Sequence, residues 1–161
     1  MRRGHLLWGL VQMGITTLRR RDFMRAVLNN ARTTGDLVSP WHEVGDVASL
    51  FDDEDDLLVE MHREWLRLLV GRLHRGEIVA SRTPVGVRDL YDELCEEHPT
   101  LRALLDSHEA NPVLWEPTAR EHAMLARIGG LAPDGTEPEL AASRGRLLLT
   151  QRIPVQRGAF A

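Results

Sequence analysis

His62, His108 and His122 are the residues with the greatest capacity for chemistry in this chain. Each falls on the apolar face of a different predicted helix. In a helical bundle, side chains so placed converge on a core metal or haem, here with Cys95 also turned inward. Three imidazoles make a zinc set, and a single one suffices for a haem. The spacing argues against a di-iron centre. No histidine has a glutamate three residues before it, and none has one four residues after it. His74-x-x-Glu77 does occur, but at a helix end and on the polar side. An imidazole on an apolar face is more often a hydrogen-bonded core side chain than a ligand. His62, His108 and His122 therefore stand as candidate metal ligands. No cofactor is predicted, and a metal or haem remains the alternative.

Other chemistries find less support. Cys95 is followed by Glu96, Glu97 and His98, and the two carboxylates work against a thiolate. With one cysteine there is no intramolecular disulfide and no Cys-rich zinc site. Asp52-x-Glu54-x-Asp56 has the rhythm of a calcium loop. Leu57, however, stands where that loop needs glycine, and Arg63 where it needs its bidentate glutamate. All 20 basic residues are arginine, as a GC-rich coding bias produces, which removes Schiff-base and Walker-lysine mechanisms. No Gly-x-Gly-x-x-Gly, Walker loop or Gly-x-Ser-x-Gly is present. No catalytic residue is assigned.

The elements that would position these residues are helices. The strongest is predicted at about 53–75. Leu58, Met61, His62, Trp65, Leu66, Leu69 and Leu73 share one face at 100° per residue, widened by Leu57, Val59, Leu68 and Val70. So wide an apolar arc needs neighbours on several sides, which places this helix at the centre of a bundle. The acidic run 52–56 caps its start, and His74, Arg75 and Gly76 close it.

Segment 4–32 is a further amphipathic helix, with a break expected near residues 14–17 at Gly14 and the β-branched Ile15, Thr16 and Thr17. Ser39 and Pro40 start a short helix reaching Phe51. Val87, Leu90, Tyr91, Leu94 and Cys95 form a helical stripe, and Pro99 opens a helix over 100–110. Asn111-Pro112 stops that helix. Residues 113–116 are extended or a turn, and Pro117-Thr118 begin a helix with a Thr118–Glu121 capping box. Gly129-Gly130 end it.

Residues 132–138 have the composition of a linker. Residues 139–145 read as a helical turn, and 147–155 as an extended arm, because Pro154 suits no central strand. The expected architecture is all-α: a bundle of five or six helices around the 53–75 helix, with an extended C-terminal arm. Residues 1–131 form the helical domain, with a basic segment at 1–36, and 132–161 form linker and arm. Trp8, Trp41, Trp65 and Trp115 are expected as core anchors.

Charge is divided unevenly. Residues 1–36 hold seven arginines against Asp22 and Asp36, while the remaining thirteen arginines face twenty-two acids. A basic arm of this kind docks on something acidic. Arg19, Arg20 and Arg21 are placed to meet residues 52–56. Peripheral membrane contact through residues 1–32 is a lesser reading, and nucleic acid is disfavoured by the net charge of −4. The apolar run His5–Leu18 contains His5, Gln12, Thr16 and Thr17 and is about 14 residues long, too short to span a bilayer. The expected location is cytoplasmic. With every chemical motif incomplete, the expected function is a non-enzymatic interaction or assembly module that takes a protein partner or forms a homo-oligomer. The alternative is a metal- or haem-binding bundle with a redox or sensor role.

Overall fold

The computed structural model describes the backbone of residues 4–74 and 82–150, and side chains within those spans from Thr16 onward. These residues form six α-helices, one short 3-10 turn and no strand. The helices are α1 (Gly4–Thr34), α2 (Glu54–His74), α3 (Pro84–Glu97), α4 (Pro99–Ser107), α5 (Pro112–Ile128) and α6 (Pro138–Thr150), with the 3-10 turn at Val47–Ser49. No described helix is long and apolar enough to cross a membrane. The chain divides into two compact units. The first comprises residues 1–65 and 98–114, and the second 66–97 and 115–161.

The expected 53–75 helix is α2. Asp53 accepts the Asp56 N–H at 2.8 Å, so the acidic run caps a helix and is not the start of a cation loop. Leu57, Leu58, Met61, His62 and Trp65 are buried in the first unit, and Leu69 and Leu73 in the second. On the other side of α2, Arg63, Arg67 and His74 are exposed.

In the first unit the core adds Val27 and Ala31 of α1, Trp41, Phe51, and Leu101, Leu104 and Leu105 of α4. Arg20 ties α1 to the segment before α2. Its Nε donates to the Leu50 carbonyl at 2.7 Å, its guanidinium lies 4.9 Å from the Phe51 ring centre, and it pairs with Asp56 at 3.6 Å. One of the three expected arginines thus meets the acidic run. The break expected near 14–17 does not occur, and α1 is helical throughout. Glycine costs a helix only about 1 kcal/mol, and no proline removes an N–H there.

The helix expected from Ser39 to Phe51 is also absent. Turns occupy 40–44, Gly45 interrupts them, and Asp46 caps the separate 3-10 turn by accepting the Ala48 N–H at 3.0 Å.

In the second unit Val87, Leu90 and Leu94 are the buried stripe of α3. Asn111-Pro112 both ends the preceding turn and starts α5, because the Asn111 side chain accepts the Val113 N–H at 3.1 Å and proline fits the first helical position. The helix then runs through Pro117, correcting the extended reading of 113–116 and the start at Pro117-Thr118. Glu121, expected as a cap, is buried mid-helix. Gly130, at φ +72°, ends the helix as expected, with the Leu131 and Ala132 N–H groups folding back on the Ala126 carbonyl.

Ala132 is not linker-like. It packs with Ala123, Ala126 and Ala141 in a cluster of small side chains. The C-terminal arm needs the largest correction. Residues 138–150 are one helix, α6, so 147–150 are helical and Leu148 is buried. Arg88 donates to the carbonyls of Leu148 and Leu149, satisfying acceptors that the helix end leaves open. The remainder of the expected arm, 151–155, lies outside the described residues.

Candidate functional site

A polar cluster joins the loop after α1 to the first turn of α2 and the end of α4, all within the first unit. Its foundation is the exit from α1. Gly35 takes φ +76°, a conformation that L side chains resist, and its N–H returns to the Ala31 carbonyl at 2.9 Å. Asp36 then accepts the N–H groups of Val38 at 2.8 Å and Ser39 at 3.1 Å. Those two bonds, with the nearby His42 charge, hold its carboxyl below its ordinary value. The turn directs the Leu37 and Val38 carbonyls at α4, where Ser107 Oγ reaches Leu37 O at 2.7 Å and His108 Nε2 reaches Val38 O at 2.9 Å. Asn30 Nδ2 holds the Pro40 carbonyl at 2.7 Å.

Trp41 follows, only 2% exposed. Its ring lies 5.5 Å from the His108 ring and 6.2 Å from that of His42, centre to centre. His42 Nε2 meets Glu54 Oε1 at 2.9 Å. The Trp41 indole N–H closes no hydrogen bond of full geometry, yet it lies near enough to Glu54 to be the main cause holding that carboxyl below its usual range, ahead of His42. Asn111 Nδ2 donates to Asp55 at 2.8 Å, beside the same helix end.

Glu54 yields a pH prediction. Its folded pKa lies below its unfolded value, so its contribution is full above the unfolded value of about 4.5 and is lost as the pH falls through the folded one. The melting-temperature difference between wild type and Glu54→Gln should therefore be largest near neutral pH and shrink below about pH 4.5. A constant difference from pH 7 to pH 3 would show that the carboxylate has no favoured partners in the fold.

The three histidines weighed as ligands have different settings. His62 is buried on α2 in the first unit, and His122 is half-buried on α5 in the second. His108 caps the end of α4, where Nδ1 lies 2.9 Å from the Leu104 carbonyl and Nε2 faces Val38 O. Both of its ring nitrogens thus face main-chain carbonyls. Among the described residues no group of three or more His, Cys, Asp or Glu is placed to hold a metal ion. Cys95 is half-buried on α3.

Ser107 Oγ is 3.0 Å from His108 Nδ1, a nucleophile–base distance. The same hydroxyl also faces the Leu37 and Leu104 carbonyls at 2.7 Å, so the pair holds a loop to a helix end. The sequence had flagged His108 for its apolar-face position. It gave no sign of Trp41, His42 and Glu54 as a group, because no local spacing links a loop to the start of a later helix.

Outside this cluster, Trp115 departs from expectation. Trp41 and Trp65 are buried, but Trp115, in the first turn of α5, is 61% exposed. Leu140 and Leu147, seven residues apart on one face of α6, are 48% and 50% exposed.

Searches against protein-family models, curated proteins and solved structures found no significant match to this chain.

Proposed function

We propose that this chain is a non-enzymatic helical interaction module that engages a protein partner, in the simplest case a second copy of itself. The observation that carries the reading is the exposed Trp115. Tryptophan is among the residue types that most often dominate binding at protein interfaces. Leu140 and Leu147 in the same unit add apolar surface, and a homodimer covers such surface economically because one patch serves twice. The basic balance of residues 1–36 against the acidic remainder favours the same kind of docking.

Light scattering across a concentration series tests this. The full chain should self-associate, and Trp115→Ala should weaken association by about tenfold or more, with the melting temperature unchanged when both chains are compared at concentrations where they are monomeric. A chain that stays monomeric at every concentration removes the homo-oligomer. An informative truncation stops after Thr150, because removal from Leu147 onward would also delete the buried Leu148. A visible absorption band or stoichiometric metal in the purified protein would instead favour a histidine-held cofactor and a redox or sensor role.

A further inference from the structure

We infer that the outer face of α6 is a self-complementary surface on which a second copy of this chain docks antiparallel, about a two-fold axis beside Ser143. The inference rests on the partner-binding reading above and gives that reading a surface and an orientation. Ala141, Gly145 and Leu148 form the inward side of α6. On the outward side Glu139, Leu140, Ser143, Arg146, Leu147 and Thr150 are exposed. At about 100° per residue these six fall in three rows. Leu140 and Leu147 form one row, and Glu139 and Arg146 form another about 100° away. Ser143 and Thr150 run midway between them. The two members of a row stand about 10.5 Å apart along the helix axis.

A two-fold axis perpendicular to the helix at the level of Ser143 reverses the second helix but keeps each row on its own side. Leu140 of one copy then meets Leu147 of the other, and Glu139 of one meets Arg146 of the other. The midpoints of both pairs coincide with Ser143 to within one residue. Every contact is made twice, as an isologous interface requires. A parallel two-fold pair would instead set the leucine row of each helix against the charged row of its copy. Ser143, nearest the axis, is small, which suits helices that approach to about 8–10 Å.

Charge identifies the occupant. Among the described residues neither the Glu139 nor the Arg146 side chain has an ion-pair partner. Within one helix they are seven residues apart, too far to pair with each other. A strip of one sign would select a partner of the other sign. A strip with an acid at one end and a base at the other, set evenly about a small residue, fits its own reverse. The exposed ion pairs fix orientation, and the leucines supply most of the contact energy. Helices of 13 residues make a small interface beside the roughly 1,200–2,000 Å² of standard complexes, so association is weak and needs high concentration.

The test is sedimentation of the full chain across a wide concentration range at low salt, where exposed charges are least screened. The wild type should self-associate. Glu139→Arg and Arg146→Glu should each weaken association by about tenfold, because every dimer exchanges two attractive contacts for two repulsive ones. The double variant Glu139→Arg/Arg146→Glu should recover the wild-type affinity, a rescue that damage to the helix would not produce. Leu147→Ser should also weaken the dimer, and it decides the matter should a charge reversal disturb folding. Single substitutions without effect, or a double reversal as weak as the single ones, overturn this interface. Association that Trp115→Ala weakens and the α6 variants leave unchanged also overturns it, yet keeps the partner-binding reading. A wild-type chain that stays monomeric at every concentration removes this interface together with the homo-oligomer.

Discussion

Replacing Gly145 with alanine is expected to destabilise the protein by about 1–3 kcal/mol or more, although alanine is the better helix former. A Cβ on Gly145 would stand 2.9 Å from the His122 Cα and closer still to its carbonyl carbon and oxygen. These are backbone atoms of α5, so relief requires α5 and α6 to move apart. That movement would open the packing of Ala123, Ala126 and Ala141, whose small side chains permit the close approach. Gly71 is the control. It lies in α2, and a Cβ there meets nothing within 4 Å. Gly71→Ala should stabilise by about 0.5–1 kcal/mol from helix propensity alone. Urea or thermal unfolding of the two variants should therefore move in opposite directions. If Gly145→Ala were neutral or stabilising, α5 and α6 would not be in close contact at this point.

Trp65→Ala is expected to cost about 3–5 kcal/mol, the usual range for emptying the site of a buried large aromatic. The side chain is fully buried, with the Arg102 guanidinium 5.1 Å from its ring centre and Asp106 holding that guanidinium in place. The substitution removes the apolar area, leaves a cavity and deletes a cation–π contact worth about 0.5–2 kcal/mol. For a chain of this size the melting temperature should drop by about 6–20 °C. Trp115→Ala, on an exposed position, should stay within about 0.5 kcal/mol of wild type. A shift of only a degree or two for Trp65→Ala would place the indole at the surface.

Much of the helical layout was legible in the sequence because it depends on neighbours in the chain. The 3.6-residue rhythm of Leu58, Met61, Trp65, Leu69 and Leu73 located α2, and the carboxylates at 52–56 marked its start, within a residue or two of Glu54–His74. Val87, Leu90 and Leu94 located α3 in the same way. The errors fell where local signals compete with packing. Pro117 suggested a boundary, but α5 runs through it. The stretch 132–138, with Pro133, Gly135 and Pro138, suggested a linker, but Ala132 packs among other alanines. Leu147-Leu148-Leu149 suggested an extended arm, since a run of three leucines has no period, yet these residues are helical, with Leu148 buried.

By itself the sequence determined the helical class, the capping of α2 and the absence of complete glycine-loop, Walker and thiol motifs, all properties of residue type and short spacing. The tertiary structure alone decided which polar groups meet. Leu37 and Val38 reach Ser107 and His108 across 70 residues of chain, and His42 reaches Glu54 across 12. It also decided that Trp115 stands in solvent and that Gly145 has room only for a hydrogen. Periodicity reports that a helix has an inward face, but it carries no information about which atoms of a distant segment come to lie against that face.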